Sequence, residues 1–248
     1  MRYFIEFAYN GKNFHGFQSQ PDATSVQETL EKALSTLFRE EIAIVGAGRT
    51  DSGVHAKQMF AHFDTEQVLD SNYWIHKLNS FLPPSIVVFK IIPVNSEAHA
   101  RFDATSRTYK YYMHSFKDVF ITDGSWYHSH HLDLEKMNEA CAILFEYTDF
   151  ECFSKVHTDV HTFICKISEA HWKQQGNQLI FTITADRFLR NMVRAIVGTM
   201  VNIGLGKIEL ADFRTIIESK NRGKAGFSVP AQGLYLVNVT YPYIEERK

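Results

Sequence analysis

The sequence is built from short segments in which apolar residues recur at every second position. Five segments show the pattern: Tyr3-Ile5-Phe7, Ile42-Ile44, Met59-Ala61-Phe63, Tyr109-Tyr111-Met113 and Ile180-Thr182-Thr184. Successive side chains of a β-strand point to opposite faces, so each segment predicts a strand with one buried face. A further strand is predicted over residues 86–91, after the Pro83-Pro84 pair that stops a helix.

The stretches between these strands have the spacing of amphipathic helices. Val26, Leu30, Ala33, Leu34 and Leu37 fall on one helical face. Ser25 and Glu28, at the start of this predicted helix, have the spacing of a capping box, in which each side chain binds a backbone N–H group at the helix N-terminus. Further helices are predicted near residues 72–80, after Asp133, and from about Phe188 to Ile203.

The order of these elements predicts an α+β fold. Strands follow strands as often as they follow helices, which favours two successive α+β units over a doubly wound parallel sheet. We place the two halves at residues 1–98 and 99–248. The seam at 95–100 lacks the composition of a linker, so the halves are expected to pack together.

Composition narrows the class of protein. The 248 residues are 45% apolar, enough for a substantial core, and 26 basic against 28 acidic residues give a net charge of −2. This balance argues against a protein that coats nucleic acid by bulk charge. Three cysteines without paired spacing favour a reducing cytoplasm, and the longest uncharged stretch near the C-terminus, 195–206, is too short to span a membrane.

The most unusual segment runs from Gly46 to Ala56 and reads G-A-G-R-T-D-S-G-V-H-A. Its three glycines permit close backbone approach, and it lacks the endings of the nucleotide-binding glycine motifs. Asp51 follows Arg49 by two residues, which fits either a surface turn with an ion pair or a reactive carboxylate held on a rigid turn.

This segment resembles the G-R-T-D-x-G-V-H-A signature of the TruA-type tRNA pseudouridine synthases. The resemblance covers nearly the whole chain, because further segments follow in the family's order: Tyr9-Asn10-Gly11, His15-Gly16-Phe17-Gln18, Val26-Gln27, Leu78-Asn79, Leu82-Pro83-Pro84, His99-Ala100-Arg101-Phe102, Ser106-Arg107-Thr108-Tyr109-Lys110-Tyr111, Phe188-Leu189-Arg190-Asn191-Met192-Val193-Arg194 and Gly233-Leu234-Tyr235-Leu236.

The resemblance implies an enzyme that isomerises uridine to pseudouridine at positions 38, 39 and 40 of the tRNA anticodon stem-loop, with no metal or organic cofactor. Asp51 matches the family's catalytic aspartate and Arg194 the basic residue that pairs with it. Tyr109 resembles the active-site tyrosine that stacks on the flipped base. From the residues alone, Arg194 would be a helix-surface arginine and Tyr109 an ordinary core aromatic.

Further positions are implied to bind the substrate. The charged candidates are Arg49, Arg101, Arg107, Lys110 and Arg190. Arg187, Arg190 and Arg194 would share one helical face if the helix includes Arg187. The uncharged candidates are Gln18 and Asn79, His55, which either contacts the target strand or hydrogen-bonds the loop backbone, and Leu234 or Leu236 as the apolar wall beneath the uracil.

The implied architecture is a pair of ferredoxin-like or RRM-like halves that form one continuous antiparallel sheet, with Asp51 in a central cleft. The resemblance also implies a homodimer that binds tRNA, while the cytoplasmic location and the lack of membrane binding are expected from the cysteines and the hydropathy. The chain departs from the family pattern at Phe17, where tryptophan is usual, and in the segment Lys155 to His161, where an arginine is expected.

Two rival interpretations stay open at this point. A non-catalytic tRNA-binding or RNA-chaperone protein could keep the fold, and the unusual Lys155–His161 segment favours it. A metal-dependent hydrolase could use His128, His130 and His131, although no carboxylate or cysteine spacing completes a ligand set. The segment Leu179–Lys224 contains eight basic and four acidic residues. A local basic groove is therefore compatible with the near-neutral total charge of the chain.

Overall fold

The structure is a computed structural model that describes residues 1–156 and 160–245. Of the departing segment Lys155–His161, residues 157–159 therefore lie outside the described residues. The chain forms two compact units. The first contains residues 1–105 together with the segment from Leu236 onward, and the second contains residues 106–235.

The first unit folds around a three-stranded core of sheet with two helices. Its elements in chain order are β1 (Arg2–Tyr9), α1 (Val26–Phe38), β2 (Val45–Gly46), β3 (His55–Asp64), α2 (Ser71–Phe81) and β4 (Ile86–Val94). Strand β1 lies between β3 and β4 and is antiparallel to both, and the short β2 pairs with β3. The apolar positions of β1, among them Phe4, Ile5 and Phe7, are fully buried.

Local sequence signals explain where the helices of this unit begin and end. The Ser25 hydroxyl oxygen accepts a hydrogen bond from the Glu28 backbone N–H at 3.1 Å, so the serine part of the predicted cap is confirmed. Helix α2 starts after Asp70, whose carboxylate accepts from two backbone N–H groups of the first turn, and ends at Phe81, before the Pro83-Pro84 pair.

The strand predicted at Ile42 and Ile44 is wrong. Both side chains are buried, yet their backbone N–H groups bind side chains of α1. Ile42 donates to the Ser35 hydroxyl and Ile44 to the Glu31 carboxylate, each at 2.9 Å. The backbone groups that would pair with a strand are thus satisfied by the helix, and only Val45–Gly46 joins the sheet.

The second unit has the same kinds of element in a similar order. They are β5 (Ser106–His114), β6 (Trp126–Tyr127), α3 (Leu134–Leu144), β7 (Ile167–Gln175), β8 (Gln178–Ala185), α4 (Met192–Gly204) and α5 (Leu210–Glu218). Strand β8 lies between β5 and β7 and is antiparallel to both, while β6 runs parallel to β5. Strand β9 (Leu234–Thr240) begins in this unit and ends in the first.

Helix α4 begins later than the sequence predicts. Asn191 has a left-handed backbone with φ of 67°, and its side-chain amide donates to the Ser228 hydroxyl at 2.7 Å. A left-handed residue cannot continue a right-handed helix, so α4 starts at Met192. The helix does not include Arg187, so the condition for a face shared by Arg187, Arg190 and Arg194 is not met, and of the three only Arg194 lies on the helix.

The end of the chain returns to the first unit. The Val239 backbone N–H donates to the Gln58 side chain at 2.9 Å, and Thr105 N–H donates to the Thr240 carbonyl at 2.9 Å. The compact units accordingly divide after Thr105 and again within β9, whereas the sequence places one boundary after residue 98.

The α+β class is confirmed, with mostly antiparallel strands and five helices in the part of the chain that the structure describes. None of those helices has the length and apolar character needed to cross a membrane.

Burial sets the charge state of one histidine in the first unit. His62 lies on β3, and its Nδ1 accepts a hydrogen bond from the Ala100 N–H at 3.1 Å. Burial, with the neighbouring His99 and Arg2, lowers the pKa of His62 from 6.5 to about 4. An accepting Nδ1 must be unprotonated, so the hydrogen bond and the lowered pKa agree.

We predict that His62 makes the folded protein less stable as the pH falls. The unfolded chain binds a proton near pH 6.5 and the folded chain only near pH 4, so stability decreases across that interval. Urea unfolding of wild type and His62→Gln at pH 7.0, 5.5 and 4.5 measures this. The variant should show a smaller decrease, whereas His76→Gln, an exposed control, should match wild type. Equal decreases in wild type and His62→Gln would contradict the prediction.

Candidate active site

The loop that carries Asp51 connects β2 to β3 and is anchored at both ends. At its start the Ala47 N–H donates to the Phe60 carbonyl at 2.8 Å. In the middle the Thr50 and Tyr9 hydroxyl groups lie 2.8 Å apart in a hydrogen bond. The Asp51 carbonyl then accepts from the Val54 N–H at 3.2 Å and closes a tight turn. The partly exposed Asp51 side chain therefore stands on a turn of defined geometry.

The loop packs directly against the backbone of residues 11–16. A Cβ atom at Gly11 would lie 2.0 Å from the Val54 carbonyl oxygen, and one at Gly16 would lie 2.4 Å from the Thr50 carbonyl oxygen. Gly16 also has a φ of +93°, which disfavours any other residue. The segment 11–16 and the loop 46–56, which both resemble the family in sequence, are thus in contact through their backbones.

His55 supports this contact from within the first unit. Its Nδ1 accepts a hydrogen bond from the Gly11 N–H at 3.1 Å, and the residue is 2% exposed. This partner is backbone of the segment that follows β1 and not of the loop Gly46–Ala56 itself. The two interpretations of His55, a contact with the target strand and a hydrogen bond to the loop backbone, both stay predictions.

The aromatic residue at position 17 also has a packing role. Phe17 is buried, its ring stacks on Phe7 with centroids 6.3 Å apart, and its edge fills the space where Gly46 has no side chain. Phenylalanine in place of tryptophan therefore changes the core beneath the loop. The adjacent Gln18 is exposed, as is Arg49 within the loop.

Asn79 is used to join α2 to β4. Its side-chain NH₂ donates to the Val88 carbonyl at 2.8 Å, and its carbonyl oxygen accepts from the Val88 N–H at 2.7 Å. The Asn79 amide thereby satisfies both the backbone N–H and the backbone carbonyl of Val88. The predicted substrate contact of Asn79 stays untested, while its structural role is plain.

In the second unit Tyr109 lies on β5, opposite Ile183 of β8. Its ring meets the Phe188 ring edge-on, with centroids 5.1 Å apart and an interplanar angle of 87°. Alternation along the strand places Arg107 and Tyr111 on the same face as Tyr109, and Lys110 on the opposite face. Lys110 therefore points away from the side on which the predicted base-stacking tyrosine lies.

Arg194 lies in the first turns of α4 and is held by the segment that precedes β9. Its Nε donates to the Val229 carbonyl at 2.7 Å, and the Val229 N–H donates to the Arg194 carbonyl at 3.3 Å. Nearby, the buried Tyr111 hydroxyl donates to the Pro230 carbonyl at 2.8 Å. Burial raises the pKa of Tyr111 far above its usual value, although the Arg194 charge acts in the opposite direction. Tyr111 is therefore a neutral core residue.

The remaining candidates differ in exposure. Arg101 and Arg190 are exposed, and Arg107 donates to the Asp186 carbonyl at 2.7 Å. Leu234 and Leu236 are both buried, and their spacing of two places them on the same side of β9. The choice between them as an apolar wall stays open.

The histidine cluster of the second unit is not arranged as a metal site. His128 and His130 have ring centroids 5.4 Å apart, and His130 and His131 are exposed. Within the described ranges 1–156 and 160–245, no group of three or more histidine, cysteine, aspartate or glutamate side chains is placed to hold a metal ion. The hydrolase interpretation thus has no ligand set among these residues.

The three cysteines are buried, and burial raises the pKa of each thiol to about 12.

Comparison with known proteins supports the resemblance found in the sequence. A family model described as tRNA pseudouridine synthase matches residues 6–103 and 142–242, which together make up most of the chain. The chain belongs to the tRNA pseudouridine synthase family. As a member of that family it is an isomerase, and the predicted family is confirmed.

Curated relatives match the synthase over nearly its full length. The tRNA pseudouridine synthase A of Parabacteroides distasonis is 56% identical over 242 residues, covering 97% of this chain and 96% of that protein. The protein of the same name from Bacteroides thetaiotaomicron is 54% identical and covers 100% of this chain and 94% of its own length. That of Bacillus subtilis is 38% identical, with coverage of 97% and 99%.

Several residues that position the synthase loop and its arginine were not singled out from the sequence. Tyr9 anchors Thr50, Phe188 packs on Tyr109, and Ser228 binds Asn191. Tyr9 and Phe188 do lie inside the matched segments, so their position there was the available signal. Ser228 lies outside them, and its contact spans 37 residues without a local sequence pattern.

We predict that Asn79→Ala destabilises the synthase. Loss of two hydrogen bonds to Val88 should lower the free energy of unfolding by about 1–3 kcal/mol, as measured in urea. Asn72→Ala, which removes an exposed amide from the same helix, is the matched control and should change stability little. A free energy of unfolding for Asn79→Ala equal to that of wild type would contradict this role of the two hydrogen bonds.

Proposed function

We propose that this synthase converts uridine to pseudouridine at positions 38, 39 and 40 of the tRNA anticodon stem-loop, with Asp51 as the catalytic carboxylate and no cofactor. The observation that carries the proposal is the loop Gly46–Ala56. It holds the family's signature, and the structure anchors it by backbone contacts on both sides of Asp51. The relatives' name supports tRNA as the substrate.

The reaction is an isomerisation, so its atoms balance without a co-reactant. The bond between N1 of uracil and C1′ of ribose breaks, the base turns, and a bond between C5 and C1′ forms. The proton on C5 is then lost and N1 gains one. The target nucleotide must leave the helical stack before either bond is accessible, at a cost of a few kcal/mol.

Asp51 acts in its ionised form. Attack on C1′, addition to the base and removal of a sugar proton are three routes to the same product, and each needs a carboxylate rather than a carboxylic acid. Arg194 is proposed as the basic residue that pairs with Asp51. The hydrogen bond from its Nε to Val229 holds the guanidinium in a fixed plane.

Tyr109 is proposed to stack on the flipped uracil and to assist loss of the C5 proton. The edge-on contact with Phe188 restricts the tyrosine ring to one orientation, which favours a stacking role. Leu234 or Leu236 is proposed as the apolar surface beneath the base.

The tRNA backbone is proposed to contact the exposed arginines Arg49, Arg101 and Arg190, with Arg107, Lys110, Gln18, Asn79 and His55 as further candidates. Guanidinium groups bind phosphate through paired hydrogen bonds, which suits a groove with limited net charge.

We further propose that each half is ferredoxin-like. The element order β1-α1-β2-β3-α2-β4 of the first unit supports this. The central cleft and the homodimer follow from the family resemblance alone, and the cytoplasmic location follows from the three cysteines without paired spacing.

The proposed reaction has a direct assay. Wild-type protein should release tritium from tRNA labelled at C5 of uridine, and pseudouridine should map to positions 38–40. No release from any tRNA with uridine at those positions would contradict the proposed function, and mapping elsewhere would contradict the proposed site.

We predict that Asp51→Asn lowers the rate of tritium release by at least about 100-fold while the Kd for tRNA changes little, because the amide keeps the size and loses the negative charge. Asp22→Asn, at an exposed position where asparagine tolerates the left-handed backbone, is the matched control and should retain the wild-type rate. An Asp51→Asn rate above a tenth of wild type would remove Asp51 from the catalytic role.

We predict that Arg190→Ala weakens tRNA binding and lowers the slope of log Kd against log salt concentration by roughly one unit, because one phosphate contact is lost. Fluorescence anisotropy between 50 and 300 mM salt measures the slope. Lys136→Ala, an exposed basic residue on α3, should leave it unchanged. Identical slopes for wild type and Arg190→Ala would rule out the contact.

A further inference from the structure

The turn between β4 and β5 presents an aromatic ring to solvent on a stiff support. Phe102 is 73% exposed, which is unusual for a phenylalanine in a short turn. The guanidinium carbon of Arg101 lies 5.5 Å from the centre of its ring. The Phe102 ring also packs against the His99 ring, at a centroid distance of 4.3 Å.

His99 fixes the backbone of this turn. Its Nδ1 accepts hydrogen bonds from the N–H groups of Arg101 and Phe102, at 3.1 and 3.3 Å. This is the way an N-cap side chain satisfies the first turn of a helix. The two residues that the cap holds are the ones whose side chains are exposed.

Asp103 closes the same turn from the other side. Its carboxylate accepts from the His99 N–H at 2.8 Å, and its own N–H donates to the His99 carbonyl at 3.0 Å. The Tyr243 hydroxyl donates to the same carboxylate oxygen at 2.6 Å. The hydrogen bonds from the Tyr243 hydroxyl and the His99 N–H lower the pKa of Asp103, so the carboxylate that closes the turn stays ionised.

Ala100, in the middle of the turn, is completely buried. Its N–H donates to His62 Nδ1 at 3.1 Å, and its carbonyl accepts from the Tyr241 hydroxyl at 2.5 Å. Side chains of His62, His99 and Tyr241 thus bind backbone groups of the turn. A turn that only connects two strands does not require these hydrogen bonds, because the backbone of an exposed turn is ordinarily solvated.

We infer that the turn 99–103 is a prebuilt tRNA contact, in which Phe102 stacks on an unpaired nucleobase beside Arg101, and that His99 is the positioning residue for both. The inference rests on the proposed function for the identity of the RNA. A planar apolar ring next to a guanidinium is the combination that binds a base and its phosphate together. A protein partner would require a wider apolar patch, whereas the neighbours of Phe102 are charged or polar.

The first experiment compares Phe102 with another exposed phenylalanine. Phe120, in the second unit, is 94% exposed and has no assigned role. Phe102→Ala and Phe102→Leu should each raise the Kd for an unmodified tRNA transcript about tenfold, and Phe102→Trp should keep it near the wild-type value. Phe120→Ala should bind as wild type. Equal Kd values for wild type and Phe102→Ala, or equal weakening by Phe120→Ala, would overturn the inference, as would a change in oligomeric state without a change in Kd.

The second experiment tests the positioning role. His99→Ala should raise KM for tRNA several-fold with kcat unchanged, and His99→Asn should restore KM because the asparagine oxygen can accept the same hydrogen bonds. In a Phe102→Ala background, His99→Ala should have little further effect. Loss of kcat, failure of His99→Asn to rescue, or full additivity in the double variant would contradict a positioning role.

Stacking also has a spectroscopic test that does not depend on catalysis. Phe102→Trp should show tRNA-dependent quenching of the added indole fluorescence, and Phe120→Trp should not. Absence of quenching at saturating tRNA would overturn the inference. Tritium release by wild type in the same preparations separates the two questions: release with no effect at Phe102 refutes this inference alone, while quenching without release refutes the proposed reaction alone.

Discussion

The close approach of two backbones in the first unit is the constraint on which the candidate site depends. The carbonyl oxygens of Thr50 and Val54 occupy positions that side chains at Gly16 and Gly11 would fill. Contact at this distance leaves the Asp51 loop little freedom, and the hydrogen bond between Tyr9 and Thr50 restricts it further. A reactive carboxylate gains from such restriction, because less conformational freedom has to be lost when the substrate binds.

Much of the fold could be predicted from local patterns. Alternation identified β1, β3, β5 and β8, the cap at Ser25 marked the start of α1, and the helix predicted after Asp133 is α3. The errors arose where a distant side chain decided the outcome. Ile42 and Ile44 alternate like a strand, yet α1 binds their N–H groups. Phe188 and Leu189 have the helical spacing of α4, yet the left-handed backbone of Asn191 prevents the helix from beginning before Met192.

The candidate site was predictable to a similar extent. The glycines around Asp51 indicated a loop with a special backbone, and two of them meet that expectation: Gly46 leaves room for the Phe17 ring and Gly53 has a φ of 78°, whereas a Cβ atom at Gly48 would contact nothing. The partners that hold its residues were not predictable, because Tyr9 lies 41 residues from Thr50 and Val229 lies 35 residues from Arg194. Contacts over such separations depend on the tertiary fold and leave no periodic trace in the sequence.

The return of the C-terminal strand bears on how the protein is synthesised. Residues 106–235 form their unit from one uninterrupted stretch of chain, whereas the first unit also needs the residues after Leu236. Gln58 obtains its Val239 partner, and Ala100 its Tyr241 partner, only after the whole second unit has been translated. Of the two units, the one whose first residues are synthesised earlier is therefore the one that is completed later, and during elongation it must persist without its last strand.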